Sequence, residues 1–122
     1  MAPSTPLSIA TAAIQRLVKE EASYHQEQQD QEKRIEKLEA QEKTGDSTED
    51  ENREYTLRQE RQALEQTKAV FPALKQKISD AVKKAENLLV EEGKKGEQSD
   101  VEQINAAKEA ISQSKTATRE IS

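Results

Sequence analysis

Histidine and cysteine carry much of the catalytic and metal chemistry of proteins, and this sequence holds one histidine, His25, and no cysteine. Thiolate nucleophiles, zinc–thiolate sites and disulfides therefore have no residues to form from. His25 lies among glutamine and glutamate residues beside a predicted apolar stripe, and we expect it to be a solvated flank residue. One imidazole with neighbouring carboxylates is a weak metal signal, so we predict no metal site and no hydrolytic triad.

Two further motifs resemble parts of catalytic sites without meeting their requirements. Residues 93–96, Gly-Lys-Lys-Gly, lack the spacing and the preceding strand of a phosphate-binding loop, and we interpret them as a turn. Adjacent acids such as Glu91 and Glu92 would need a concave apolar site to perturb their pKa values, and the sequence indicates none. We therefore predict that the protein is not an enzyme and uses no cofactor.

The secondary-structure elements that position these side chains must form from an unusually polar sequence. Its 122 residues are 32% hydrophobic, 35% charged and 2% aromatic, with a net charge of −5. Leu, Ile, Val and Phe make up less than a fifth of the chain, which is typical of disorder. Ala, Glu, Lys, Leu and Arg make up half of it, which is typical of long helices. The spacing of the apolar residues has to decide between these two interpretations.

The composition, charge and apolar runs of the sequence also argue against several classes of protein. The longest apolar run, residues 69–74, is far shorter than the ~20 residues that span a bilayer. No basic start followed by an apolar block marks a secretory signal. Net acidity and scattered aromatics argue against nucleic-acid binding. We therefore predict a cytoplasmic protein with no membrane segment.

Apolar residues recur at alternating steps of three and four, which is the spacing of one helix face. The stripes run from Leu7 to Leu38, from Leu57 to Leu88, and from Val101 to Ile121. No window alternates as a strand does. The chain thus predicts an all-α fold: an antiparallel up-down-up three-helix bundle, coiled-coil-like, with a shorter third helix.

The predicted elements fill one helical-bundle domain over residues 1–122. We expect helices at about 6–43, 49–91 and 100–121, an acidic turn at 44–48 and a second turn at 92–98. The expected capping residues are Thr5 for the first helix, Ser47 or Thr48 for the second, and Ser99 paired with Glu102 for the third.

Antiparallel register predicts where the third helix ends. It pairs Leu38 with Leu57 and Tyr24 with Phe71, and it ends the third helix at the level of the second pair. Beyond that level the first two helices should continue as a two-stranded protrusion of ~18 residues per helix. We expect the polar residues of its stripes to stay partly solvated, or alternatively to fix the pairing register. These residues are Gln28, Gln31, Glu60 and Thr67.

Pro72 lies inside the second predicted helix, where it cannot donate to the carbonyl of Lys68. We predict a kink there, compensated by a contact between Phe71 and Tyr24. The alternative is that the segment splits into two helices at Phe71.

Two stretches of the sequence resemble the tubulin-binding cofactor A family. The first helix carries the resemblance in residues 16–20, Tyr24 and residues 32–38. The second carries it in residues 55–59, Leu64, Thr67-Lys68 and Phe71-Pro72. The agreement covers about residues 14–89, and the third helix has no matching motif.

The resemblance implies a three-helix bundle that binds newly folded β-tubulin after its release from the cytosolic chaperonin and holds it for αβ-dimer assembly, without catalysis. It thereby implies a cytoskeleton-associated protein, for which we favour a monomer with a homodimer as the alternative. The resemblance also suggests a partner face on the first helix, with Pro72 shaping the neighbouring helix. This predicted partner face comprises Arg16, Lys19, Glu20, Glu27, Glu32, Glu36 and Lys37.

A competing hypothesis uses the same helices differently. The chain would then be a structural coiled-coil module, similar to a spectrin-like spacer, whose protrusion pairs with a second copy. Sedimentation distinguishes self-association from a monomer.

Overall fold

A computed structural model describes residues 4–43 and 50–121 of the protein, without the side chains of Asp50 and Glu51. Helix α1 spans Pro6–Lys43, α2 spans Asp50–Gly93 and α3 spans Val101–Glu120. A short 3-10 turn, Gly96–Gln98, precedes α3. No strand forms within these ranges, so the predicted all-α class with a shorter third helix is confirmed.

The chain divides into two compact units. The three-helix unit takes Met1–Ala22 and Pro72–Ser122, and the two-helix unit takes Ser23–Phe71. All of α3 therefore belongs to the three-helix unit, whereas α1 and α2 contribute to both. The predicted single domain over residues 1–122 stays a prediction.

The core of the three-helix unit is built largely from small residues. Ile14 is fully buried and packs with Ala10, Ala85, Ala110 and Ile111, which come from all three helices. Alanines at these positions allow helix backbones to approach closely, so the few large side chains provide much of the buried apolar area. A low content of Leu, Ile, Val and Phe is thus compatible with a packed core.

Local polar contacts fix the start of α1. The hydroxyl of Thr5 accepts a hydrogen bond from the backbone N–H of Ser8 at 3.1 Å, and the backbone N–H of Thr5 donates to Ser8 Oγ at 2.9 Å. Each side chain satisfies an N–H that a helix start leaves without a partner. Thr5 Oγ1 also donates to Gln103 Oε1 at 2.7 Å, which joins the first turns of α1 and α3. The predicted cap at Thr5 is confirmed.

The start of α3 differs from the prediction. Asp100, and not Ser99, caps the helix: its carboxylate accepts from the backbone N–H of Gln103 at 3.1 Å. The hydroxyl of Ser99 instead donates to the carbonyl of Gly96 at 2.7 Å, so it serves the preceding turn. The caps predicted at Ser47 or Thr48 lie outside the described residues.

Two burial predictions are also wrong. Val101 is 62% exposed, because six helical positions place it about 120° from the buried Ala107. In the two-helix unit, Gln31 and Thr67 are 4% and 5% exposed rather than partly solvated, whereas Gln28 and Glu60 remain partly exposed as predicted. Thr67 satisfies its hydroxyl internally by donating to the carbonyl of Ala63 at 3.1 Å. A local helix bond of this kind lets a polar residue occupy a core position.

Helix α2 continues through Pro72, so the alternative of two helices separated at Phe71 is wrong. Pro72 is exposed and has no N–H to donate to the preceding turn. The kink at Pro72 stays a prediction.

Lys94 and Lys95 form a turn between Gly93, the last residue of α2, and Gly96, the first residue of the 3-10 turn. Gly96 has a φ of 62°, a left-handed conformation that glycine adopts without strain.

Glu92 connects the end of α2 to the start of α3 across this turn. Its carboxylate accepts from the backbone N–H of Asp100 at 2.8 Å and pairs with Lys95 Nζ at 2.8 Å. The bond from Lys95, followed by that from the Asp100 N–H, holds the pKa of Glu92 below its usual value.

This lowered pKa predicts a pH-dependent contribution to stability. Because folding favours the ionised form, the contribution is complete above the pKa of the unfolded chain and is lost as pH falls through the lower folded pKa. We expect Glu92→Gln to unfold at lower urea than the wild type at neutral pH. The difference should shrink as pH falls below the usual glutamate pKa of 4.5 and disappear below the lower folded pKa. Urea unfolding followed by circular dichroism across this range measures it.

Glu91→Gln is the matched control for this prediction. Glu91 is the neighbouring exposed acid and pairs with Lys94 at 3.1 Å, but it does not reach α3. Its substitution should leave the pH dependence close to that of the wild type. A Glu92→Gln deficit that persists unchanged in acid would contradict the proposed role of the charge.

Candidate functional site

The residues of the predicted partner face are divided between the two units. All seven side chains are exposed. Arg16, Lys19 and Glu20 belong to the three-helix unit, and the other four belong to the two-helix unit. Within the latter, Glu32 and Glu36 are one turn apart, whereas Glu27 and Lys37 point to other sides of α1 because each residue advances about 100°. The role of these residues in partner binding stays a prediction.

A concave feature of the two-helix unit lies between α1 and α2. A depression of about 290 Å³ is lined by Arg34, Lys37, Leu38, Gln41, Thr56 and Glu60. A second, of about 160 Å³, shares Leu38, Gln41 and Thr56 with the first and adds Asn52 and Arg53. We call the two adjoining depressions the hairpin groove. Lys37 is the residue of the predicted partner face that lines it.

The groove follows from helix geometry. Arg34, Lys37 and Gln41 are spaced three and four residues apart on α1, and Thr56 and Glu60 are four apart on α2. This spacing places each set on one face of its helix. Leu38, partly buried beneath them, supplies an aliphatic surface. The sequence predicted no concave site, because periodicity identifies the packed face of each helix and does not show where side chains of unequal length leave space.

Two ion pairs join the helices of this unit. Arg34 Nε on α1 lies 3.3 Å from Glu60 Oε2 on α2, and Arg61 Nη2 on α2 lies 3.1 Å from Glu39 Oε1 on α1. Both arginine side chains are more than half exposed, so each pair contributes at most about 1 kcal/mol to stability. Arg34 lies on the groove, so its pair with Glu60 also sets the position of a charge there.

An aromatic cluster lies where the register predicted it. Tyr24 and Phe71 contact edge to face, with ring centroids 6.4 Å apart and planes at 74°. The His25 ring lies 4.7 Å from that of Phe71 at a tilt of 32°. The expectation of a solvated His25 is therefore wrong: the ring is partly buried against Phe71. Position 25 adjoins the apolar stripe closely enough for a flat ring to reach it.

Among the described residues, no helix is both long and apolar enough to cross a bilayer.

Comparisons with known proteins agree on one family. A family model described as tubulin binding cofactor A matches residues 2–111. A protein of Saccharomyces cerevisiae called tubulin-specific chaperone A is 37% identical over 89 residues, which cover 73% of this chain and 76% of the yeast protein. No solved structure matches the chain.

Proposed function

The chain belongs to the tubulin binding cofactor A family, and from this premise we propose that it binds β-tubulin folding intermediates after chaperonin release and holds them for αβ-tubulin assembly. The observation that carries this proposal is the family match over residues 2–111, which includes most of all three helices. A role as a tubulin-folding cofactor follows from the family, and the choice of β-tubulin is the finer step.

The geometry supports a binding role without catalysis. The described surface of both units is rich in exposed charged side chains carried by long helices. Its hairpin groove is open to solvent and not enclosed, which suits contact with another protein surface better than enclosure of a small substrate. We place the protein in the cytoplasm with the cytoskeleton, because its proposed partner is tubulin.

Capture of tubulin from cytosol tests this function. The full chain, immobilised, should retain β-tubulin and should retain less α-tubulin, as measured by immunoblot. Absence of retained β-tubulin, while circular dichroism shows that the chain remains helical, would overturn the proposal.

Charge reversal tests the partner face. We expect Glu32→Lys with Glu36→Lys to reduce the β-tubulin retained severalfold, because both carboxylates are exposed on adjacent turns of α1. The matched control is Glu102→Lys with Glu109→Lys, two exposed acids on α3 that do not belong to the predicted partner face. Equal losses in the two double variants would show an effect of net charge and remove these residues from the proposed face.

We propose a monomer as the binding form. Sedimentation velocity over a range of concentrations should give one species with the mass of a single chain. A concentration-dependent dimer would favour the structural coiled-coil module instead.

A further inference from the structure

We propose that the hairpin groove is a binding site for an extended acidic segment of a protein partner. The inference does not require the partner to be tubulin. It rests on the charge, the hydrogen-bonding groups and the shape of the groove.

The lining of the groove is cationic in an acidic chain. Among the described residues, Arg34, Lys37 and Arg53 line it with one carboxylate, Glu60, whereas the whole chain carries a net charge of −5. Arg53 is buried and already has an interaction of its own, so the exposed cations of the groove are Arg34 and Lys37. Within the described residues, Lys37 forms no ion pair. Arg34 faces Glu60 through Nε, which leaves its two terminal amino groups for another acceptor. The charge that complements this lining is negative.

Groups that could bind a peptide backbone lie between these cations. Thr56 and Asn52, one turn apart on α2, make no side-chain hydrogen bond with described residues. A hydroxyl and an amide can both donate and accept, as a peptide backbone requires. Leu38 offers the aliphatic stem of an acidic side chain a contact surface. Charged, hydrogen-bonding and aliphatic groups thus follow one another along a groove open to solvent.

The length of the feature favours an extended segment over a single carboxylate. The two depressions adjoin through three shared residues. The exposed cations Arg34 and Lys37 lie in the first, and Asn52 lies in the second. A single small anion would contact one of the two depressions. A chain with several carboxylates can contact both exposed cations while its backbone reaches the polar groups of the second depression. Its affinity should fall with added salt because Arg34 and Lys37 are exposed.

Fluorescence anisotropy with the full chain tests this proposal. The probe is a fluorescein-labelled glutamate-rich peptide, and the same peptide with glutamine at every glutamate is the charge control. We expect saturable binding of the acidic peptide that weakens with salt, and no saturable binding of the glutamine peptide.

Two charge reversals locate the site. Lys37→Glu should weaken binding of the acidic peptide about fivefold to tenfold. Arg58→Glu makes the same change in net charge in the same unit, but Arg58 is about 200° around α2 from Thr56 and does not line the groove. It should change the affinity less than twofold.

Each remaining outcome counts against the proposal. Failure of the acidic peptide to bind, equal binding of both peptides, or equal losses in the two variants would overturn it. Circular dichroism should show both variants to be as helical as the wild type, because both side chains are exposed. This test is independent of β-tubulin capture, so a failure of one leaves the result of the other intact.

Discussion

Replacing Ile14 with alanine should lower the free energy of unfolding by about 2–5 kcal/mol. Ile14 is 0% exposed and packs in a cluster whose other members include Ala10, Ala85 and Ala110. Alanine neighbours have no side-chain length with which to fill the space that the substitution leaves, so the cost should lie towards the upper part of that range. Since domains of this size are stable by only about 5–15 kcal/mol, this loss is a large fraction of the total. Urea unfolding monitored by circular dichroism measures it.

Ile9→Ala is the matched control. Ile9 lies on the same helix and loses the same atoms, but it is 55% exposed, so its substitution should change stability by no more than about 0.5 kcal/mol. If the Ile14 variant is too unstable to fold, Ile14→Val should still cost about 0.5–1.5 kcal/mol. Similar effects at Ile14 and Ile9 would contradict the core as described.

Periodicity predicted the parts of the fold that depend on one helix at a time. The three helices and the cap at Thr5 follow from residue spacing and from groups within a few positions of each other. The starting cap of α3 was misplaced by one residue because Ser99 and Asp100 can both cap, and the choice depends on where the preceding turn directs the hydroxyl of Ser99.

Features that depend on the neighbouring helix were not predicted. Whether a polar residue on the stripe is buried depends on how closely α1 and α2 approach, which the burial of Gln31 and Thr67 shows. The position of His25 depends on the reach of Phe71 from α2. The hairpin groove likewise arises from side chains of two helices, Lys37 and Thr56 among them. Spacing along one helix contains none of this information.

The candidate site was likewise predictable only in part from the sequence. Exposure of all seven residues of the predicted partner face follows from their positions off the apolar stripe. Their assignment to a partner came from resemblance to a family, and the structure distributes them over both units and several sides of α1. Of the seven, Lys37 lines the groove, so its reversal affects both proposals, whereas Glu32 and Glu36 lie outside the groove lining and test the partner face alone.

Phe71→Ala should be the most destabilising single substitution in the two-helix unit, at about 3–5 kcal/mol. Phe71 is 7% exposed and contacts both Tyr24 and His25, so alanine removes two ring contacts as well as the buried area. Tyr24 and His25 both lie on α1, and the lost contacts therefore connect α2 to α1. Urea unfolding by circular dichroism measures the loss.

Tyr55→Ala is the matched control, because it also removes an aromatic ring from α2 within the same unit. Tyr55 is 58% exposed, and its substitution should change stability by no more than about 0.5 kcal/mol. Both variants gain the same favourable helix propensity of alanine, so the difference between them isolates tertiary contact from helix formation. Equal unfolding midpoints for the two variants would show that the aromatic cluster contributes little, and that the pairing of the two helices depends on Ile35, Leu57 and the interhelical ion pairs instead.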